Sequence, residues 1–138
     1  MNQGNGITVA KKIPSSCGNF SDLDIAVPGP VSAGSMVVVS VTVYIGIYHE
    51  AGVYDHLSMF IALSTTNCTA YPGHLGTNVP AQHPTWYYYS TSTFQRAFYF
   101  DTGFTNPVTF YVNGYMGAGW DNADRLVVAN SVAVVYPG

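Results

Sequence analysis

The sequence predicts an all-β protein, an antiparallel β-sandwich of the jelly-roll type, and three observations support this prediction. Several segments alternate apolar and polar residues with the period of two that is typical of half-buried strands. No window has a convincing helical period. Turn-forming glycine and proline residues separate the alternating segments. Seven or eight strands with turns between them fit one sandwich domain over residues 1–138.

The N-terminal half contains the longest predicted strand. Residues 7–13 are a candidate first strand, and we expect segment 1–18 to be either a linker from a longer chain or an edge strand. Residues 20–27 alternate more regularly, and residues 36–48 follow. The opposite face of this long strand is too apolar for full exposure and too polar for a dry core, so we expect a neighbouring subunit to cover part of it. Its first face is wholly aliphatic: Val37, Val39, Val41, Val43, Ile45 and Ile47.

The C-terminal half contains further strands around a long irregular segment. Residues 57–63 and 94–100 alternate, and the aromatic run 86–89 is either a strand or the rim of a loop. Residues 64–84 have no sustained period, which predicts a long loop of the kind that is often functional. Two strands close the chain within residues 106–138, and the last must be paired inside a sheet or against another subunit, because an open apolar edge aggregates. Its predicted apolar face is Leu126, Val128, Val132, Val134 and Tyr136.

The low charge of the chain predicts self-association. Charged residues make up 8% of the sequence, against about 25% in ordinary soluble domains. We therefore expect part of the surface to be buried against copies of the same chain. A net charge of −3 with only four Lys and Arg residues argues against nucleic-acid binding. No apolar run approaches the roughly 20 residues of a membrane span, and no signal peptide follows Met1.

The two cysteines leave two possibilities open. Cys17 and Cys68 either form a disulfide, which would close a loop of about fifty residues, or remain separate thiols. Sequence spacing alone does not decide between these possibilities. Neither cysteine has a histidine at metal-ligand spacing, so the sequence predicts no zinc site.

The sequence contains no recognised catalytic motif, and we expect a non-enzymatic protein. It lacks a nucleophile elbow, a phosphate-binding loop, a zinc-protease motif and a dinucleotide fingerprint. His49, Glu50, Asp55 and His56 fall in one segment, but their spacing matches no known metal-ligand pattern. We interpret them as the polar residues of a connection between two strands.

An acidic tip precedes the last strand and suggests a cofactor. Asp121, Asn122 and Asp124 follow two glycines, and hard oxygen atoms close together on a flexible loop suit calcium. The alternative is an Asx-rich turn between strands, which we favour. Asp121 and Asp124 are therefore candidate metal ligands, and calcium is the one cofactor the sequence suggests.

Aromatic residues are the candidate ligand-binding groups. The chain has eleven tyrosines and two tryptophans, and several lie where strands meet loops. Tyrosine and tryptophan give rigid, amphipathic contact area that suits sugars and protein epitopes. Others of these residues must belong to the core. We predict that Trp86, Tyr88 and Trp120 bind ligand.

Three segments near the C-terminus carry a family resemblance. They are the strand Phe-Tyr-Val-Asn-Gly at 110–114, the Gly-rich connection 117–124 and the closing strand 131–137. These segments resemble the last strands of trimeric jelly-roll heads of the complement and tumour-necrosis-factor type, which also form heads of bacterial collagen-like surface proteins and tips of phage tail fibres. That family usually enters a strand with Gly-x-Tyr-x-Phe, of which residues 34–38 keep only the glycine. The resemblance implies a homotrimer packed along apolar strand faces, a preceding stalk and a receptor- or glycan-binding apex.

The combined expectation is a non-enzymatic trimeric head domain displayed outside the cell, on a virion or on a cell surface. It would bind a glycan or a protein receptor, and weak single sites would gain avidity when three are presented together. Its partners would be copies of itself and that receptor, without nucleic acid and without membrane insertion. Two alternatives remain: a purely structural trimerisation or capsid-decoration cap, and a small soluble lectin that binds calcium through Asp121 and Asp124.

Overall fold

The prediction of an all-β sandwich is confirmed. A computed structural model describes residues 2–8 and 10–138, and side chains of residues 4–8 and 10–138. The described chain folds into antiparallel strands arranged in two sheets that pack together around one core. Within those residues no helix has the length and apolarity needed to cross a membrane.

Ten strands and one short 3-10 helix make up the described elements. The first sheet has the strand order β1-β10-β5-β8, with β2 also paired with β10, and the second has the order β3-β9-β6-β7, with β4 also paired with β9. The 3-10 helix, Ser21–Leu23, lies between β3 and β4. The strand bounds are β1 (Asn2–Ile7), β2 (Lys11–Lys12), β3 (Gly18–Asn19), β4 (Ile25–Val27), β5 (Ser35–His49), β6 (Asp55–Ala62), β7 (Leu75–Val79), β8 (Trp86–Phe100), β9 (Val108–Ala118) and β10 (Arg125–Tyr136).

Strand β5 is the centre of the core, as its alternation predicts. Its inward side chains, Val37 through Ile47, have at most 3% of their surface exposed, and each contributes about 1.5–3 kcal/mol relative to an exposed position. The inward side of the second sheet packs against them through residues such as Met59 and Phe110. The outward side of β5 is half-buried along most of its length.

The closing strand β10 lies inside the first sheet, between β1 and β5. Its predicted apolar face is wrong beyond Leu126, because a register shift between Leu126 and Val128 reverses which residues point inward. The buried residues after this bulge are Ala129, Ser131 and Ala133. Val128 is 50% exposed, and the later residues of the same parity also lie on the outward side.

Strand β1 is the edge of the first sheet, so the beginning of the chain is part of the sandwich. It pairs with β10 from Asn2 opposite Val134 to Ile7 opposite Ala129. Of the predicted strand 7–13, only Ile7 and β2 have strand structure; Val9 lies outside the described residues.

The predicted loop 64–84 contains a strand that the sequence did not reveal. Strand β7 pairs with β6 from Leu75 opposite Met59 to Val79 opposite Asp55. It has five residues, and only its two end residues are large and apolar, so its alternation is too short to detect.

Residues 63–74, which we call the strap, fold back over the outward side of the second sheet. They cover Phe60, which is 3% exposed and whose ring stacks on the His74 ring with centroids 5.1 Å apart. They also cover Asn113, whose side-chain amide donates to two backbone oxygens of the strap at 2.9 and 2.8 Å. The strap therefore buries polar and apolar groups that an exposed sheet would leave in solvent.

Two attachments hold the strap in place. Cys17 and Cys68 form a disulfide across 51 positions of sequence, which resolves the alternatives that spacing left open. At the other end, the Arg96 guanidinium lies 4.4 Å from the Tyr71 ring centroid and donates to the Ile61 carbonyl oxygen at 2.8 Å. Arg96 thereby links the edge strand β8 to both the strap and β6.

Candidate functional site

Exposed large apolar side chains mark two surfaces of the described chain, with Leu63 lying apart. One surface is the outward side of the first sheet, which carries Tyr44, Tyr89, Tyr99, Val128, Val132 and Tyr136. The other is one end of the sandwich, which we call the apex and which carries Val53, Tyr54, Trp86 and Trp120. The apex comprises residues 50–54, 80–86 and 119–124. These two surfaces are the candidate functional regions.

From Val128, Tyr44 and Tyr89 to the end of the sandwich opposite the apex, the outward side of β10, β5 and β8 carries no charged side chain, and we call this part the uncharged face. Arg125, the first residue of β10, borders this face on the apex side of the bulge, where it is in register with Gly46 and its guanidinium donates to the backbone oxygens of Asn122 and Asp124. Strand alternation and register place the following residues on the face: Val128, Asn130, Val132, Val134 and Tyr136 from β10, Met36, Val38, Ser40, Thr42 and Tyr44 from β5, and Tyr89, Thr91, Thr93, Gln95, Ala97 and Tyr99 from β8.

A row of polar side chains crosses the middle of the uncharged face. Asn130, Thr42 and Thr93, which we call the polar row, are in register on the three strands. The Thr42 and Thr93 hydroxyl oxygens lie 3.1 Å apart, at hydrogen-bond distance. In the neighbouring row the Ser40 hydroxyl donates to Gln95 Oε1 at 3.4 Å. The face is therefore apolar towards both ends and polar at its centre.

Stacked tyrosines occupy the apex end of the first sheet. The Tyr44 and Tyr89 ring centroids are 5.4 Å apart, and those of Tyr87 and Tyr89 are 5.0 Å apart. The Tyr87 hydroxyl donates to the Ala123 carbonyl oxygen at 2.5 Å. A Cβ atom at Gly46 would overlap the Tyr87 ring, so a larger residue at this position of β5 would displace that ring. These contacts join the uncharged face to the apex.

Hydrogen bonds connect the first apex loop to the second and the third apex loop to the end of strand β5. The Gly52 N–H donates to the Ala81 carbonyl oxygen at 2.7 Å, and the Tyr48 N–H donates to Asp124 Oδ1 at 3.0 Å. A cavity of about 220 Å³ opens between the first and third loops. It is lined by Tyr48, Glu50, Val53, Asp55, Gly119, Trp120 and Asp121.

Of the predicted ligand-binding residues, Trp120 is the one that lines this cavity. Its ring is 43% exposed, and its Nε1–H donates to the Ile13 carbonyl oxygen at 2.8 Å. The Lys12 ammonium lies 5.3 Å from the ring centroid. Trp120 is therefore held in one orientation by the backbone and by a cation while much of its ring still faces solvent.

The other two predicted residues lie outside the cavity, Trp86 at the apex and Tyr88 two residues further along β8. Trp86 begins β8 opposite His49 and is 70% exposed, so it is a surface aromatic group. Tyr88 is half-buried, and its hydroxyl donates to the Pro84 carbonyl oxygen at 2.7 Å. The structure does not bring Trp86, Tyr88 and Trp120 together into one aromatic cluster.

A buried histidine–aspartate pair lies beneath the apex and connects two of its loops. His49 and Asp55 are 0% and 1% exposed, and His49 Nδ1 is hydrogen-bonded to Asp55 Oδ2. His49 Nε2 lies 3.0 Å from the His83 carbonyl oxygen, which can only accept, so Nε2 carries a hydrogen. The pair thus joins the β5–β6 connection to the loop before β8. In the sequence His49 and Asp55 share one polar segment, but nothing there indicated burial.

The acidic tip forms a closed turn around Asp124. Asp124 is fully buried; its Oδ1 accepts from the Tyr48 N–H, and its Oδ2 accepts from the Asp121 N–H at 2.7 Å. Asp121 Oδ1 in turn accepts from the Ala123 N–H at 2.8 Å. Side-chain carboxylates that accept backbone N–H groups in this way are typical of an Asx-rich turn. Calcium binding by Asp121 and Asp124 stays a prediction. No three His, Cys, Asp or Glu side chains of the described residues cluster in a way that could hold a metal ion.

Burial of Asp124 predicts a pH-dependent stability. Burial raises the pKa of Asp124 to about 6, although backbone N–H groups of Asp121 and Tyr48 oppose the shift. Burial also raises the pKa of Asp55 and of Asp24. Because the folded Asp124 carboxyl group binds a proton more tightly than the unfolded one, its contribution is fully present below about pH 4 and is lost as the pH rises through about 6; the raised pKa values of Asp55 and Asp24 act in the same direction.

We expect the free energy of unfolding to fall by about 1 kcal/mol or more between pH 5 and pH 7. Urea denaturation across this range measures the slope. The variant Asp124→Asn removes the titrating group and should flatten the slope, while the exposed Asp101→Asn should leave it as it is. A wild-type stability that rises with pH over this range would contradict the prediction.

No protein-family model matches the chain, and no curated protein sequence is similar to it. The function must therefore be inferred from the two surfaces described above.

Proposed function

We propose that the protein is a non-enzymatic homotrimeric head domain, displayed on a virion or cell surface, that binds a glycan or protein receptor through its apex. The observation that carries this proposal is the uncharged face. A second copy can cover such a face without burying an unpaired charge, which would cost several kcal/mol. In the trimer, the uncharged faces of the three copies surround the threefold axis.

The size of the face supports an interface between copies. With a rise of about 3.3 Å per residue and about 4.8 Å between strands, nine residues on three strands cover roughly 400 Å². A standard interface takes about 800 Å² from each partner, so adjoining surface must take part. A groove of about 970 Å³ beside the face provides such adjoining surface; Met36, Val38, Ala97 and strap residues 71–73 line it, together with Arg96, whose guanidinium is already bound to the Ile61 carbonyl oxygen and the Tyr71 ring.

Strand pairing supports the jelly-roll resemblance. Strands β1 and β2 both pair with β10, and strands β3 and β4 both pair with β9. When each of these two sets is counted as one interrupted strand, the described chain has eight strands. The first then pairs with the eighth, the second with the seventh, the third with the sixth and the fourth with the fifth. A jelly roll of eight strands in two Greek keys has this nested pairing.

The apex supplies the receptor-binding surface of the proposal. Trp120 and Trp86 expose large aromatic areas there, and Trp120 lines a cavity that also presents the Glu50 and Asp121 carboxylates. Aromatic rings beside hydrogen-bond acceptors suit both sugars and protein epitopes. Three apices on one trimer would give the avidity that compensates for a small single site.

The disulfide supports display outside the cell. Cys17–Cys68 joins the strap to the start of β3, and structural disulfides persist in oxidising environments such as the extracellular space and the virion surface. Together with the low charge of the surface, this favours an extracellular assembly.

The test of the proposal is the mass of the protein in solution. Light scattering on the purified chain should give about three times the protomer mass of 14.8 kDa. The variant Thr42→Lys places an ammonium group at the centre of the uncharged face, and we expect it to give a folded monomer. Thr109→Lys is the matched control, because Thr109 is a half-buried strand threonine on the outward side of the second sheet. A monomeric wild type, or a Thr42→Lys trimer, would overturn the proposal.

Two other functions share the same fold. A purely structural trimerisation or capsid-decoration cap accounts for the uncharged face as well, but it gives the exposed apex aromatics no role. A small lectin, dependent on calcium through Asp121 and Asp124, accounts for the apex but leaves the uncharged face uncovered. Binding of the trimer on a glycan array separates the receptor-binding head from the cap, and loss of binding with a chelator would identify the calcium lectin.

A further inference from the structure

The polar row is the part of the uncharged face that adhesion between copies does not explain. A face that serves only for adhesion is most stable when apolar throughout, but Asn130, Thr42 and Thr93 lie across its middle. Val128 and Val132, on either side of Asn130 along β10, are 50% and 37% exposed. Asn130 therefore interrupts an outward valine series on the strand nearest the centre of the sheet.

Within the two central rows of the face, Asn130 differs from its polar neighbours in its hydrogen bonding. The Thr42 hydroxyl pairs with Thr93, and the Ser40 hydroxyl pairs with Gln95. The Asn130 side-chain amide makes no hydrogen bond to another residue in the described part of the chain, and it is exposed. Its two N–H donors and its acceptor oxygen are thus available to a group outside the protomer.

We infer that Asn130 determines the number and the register of the copies in the assembly, through hydrogen bonds between the Asn130 amides of neighbouring copies. This inference rests on the proposed trimer. A single asparagine at an otherwise apolar interface position has this role in coiled coils, where it fixes oligomer state and register at a cost in stability. The physical reason is the same in a sheet interface. In any arrangement that buries the amide without a partner, the amide loses its hydrogen bonds to water and gains none in return.

The uncharged face needs such a determinant because its other contacts specify little. The valine, alanine and methionine side chains of the face pack acceptably in several shifted arrangements, and the hydroxyl groups of the two central rows, already paired within the protomer, impose no register. An asparagine that must meet its counterpart near the symmetry axis allows one arrangement. The threefold arrangement brings three amides together, and each can donate to the next.

The experiment compares the size distributions of wild type and Asn130→Val by light scattering and native mass spectrometry over a range of concentrations. We expect one trimeric species for wild type. We expect Asn130→Val to show several coexisting oligomer sizes and a higher thermal midpoint, because the buried amide is replaced by an apolar group. Asn106→Val, at an exposed position in the β8–β9 connection, is the control and should stay a single trimer with an unchanged midpoint.

A second variant keeps the test decisive if the valine variant aggregates. Asn130→Thr retains a hydroxyl that can bond to its counterparts, and we expect it to remain a single trimer. A homogeneous Asn130→Val trimer with an unchanged or lower midpoint would overturn the role of Asn130 while leaving the trimer intact. Mixed sizes for Asn130→Thr would also overturn it. A monomeric wild type would instead remove the proposed function and this inference together.

Discussion

Removing the disulfide should lower the free energy of unfolding by about 4 kcal/mol, since the crosslink restricts the unfolded chain over a loop of about fifty residues. In the folded state Cys17–Cys68 ties the strap to the start of β3. The double variant Cys17→Ser/Cys68→Ser leaves no unpaired thiol, and guanidinium denaturation at a fixed protomer concentration measures the loss. The fixed concentration matters because association contributes to the apparent stability.

The location of the disulfide gives this prediction a second readout. Phe60 and Asn113 stay buried only while the strap is in place, so the double variant should be cleaved by proteases within residues 63–74 more readily than wild type. Ser15→Ala, next to the start of β3 and exposed, should change neither stability nor cleavage. A loss below about 1 kcal/mol, a fraction of the loop-closure value, would contradict the predicted stabilisation, and unchanged cleavage within residues 63–74 would show that the strap is held by its other contacts.

Asp55→Ala should destabilise the fold by about 3–5 kcal/mol, the range measured when one partner of a buried ion pair is removed. Asp55 is 1% exposed, and its carboxylate bonds to His49 while a Cβ atom at Gly119 would overlap it. The alanine variant leaves the buried His49 Nδ1 without a partner and opens a small cavity. Thermal and urea unfolding both measure this loss.

The matched variant Asp55→Asn separates the hydrogen bond from the charge. Its side-chain amide can donate to His49 Nδ1 while Nε2 still donates to the His83 carbonyl oxygen, so we expect a loss well below that of Asp55→Ala. Equal losses would mean that the carboxylate charge is the essential property. A loss below about 1 kcal/mol for Asp55→Ala, small beside the range for a broken buried pair, would contradict the supporting role of the pair.

Sequence alone predicted the sandwich because its longest strand has an unambiguous pattern. The aliphatic residues of β5 recur at every second position from Val37 to Ile47, and no helix accommodates that period. The opposite side, of mixed polarity, is half-buried along most of its length within the single chain, and its coverage by a neighbouring subunit stays a prediction.

The errors have local physical causes. The bulge between Leu126 and Val128 adds one residue to β10, and a single insertion moves every later side chain to the other face. Nothing in the valine-rich sequence marks this position. Within β8 the sequence predicts a strand over residues 94–100 and either a strand or a loop rim over residues 86–89, because residues 90–93 are all small and polar; in the structure β8 is one strand of fifteen residues.

The candidate site was less predictable than the fold. Trp120 was predicted from composition and lines the apex cavity, but the burial of His49 and Asp55 depends on three loops that are distant in sequence. The uncharged face could not be located from the sequence either. Only the bulge in the structure shows that Val128 and Val132 of β10 point outward.

The pairing of β1 with β10 has a consequence for how the protein can be handled. Asn2 lies opposite Val134, and the N–H of Gly138 donates to the Ser35 hydroxyl, so both ends of the chain lie at the end of the sandwich opposite the apex. A biotin tag, an affinity tag or a fluorescent protein attached at either terminus would extend away from Trp86 and Trp120. The protein can therefore be immobilised on a sensor from either terminus with its apex loops facing the solution.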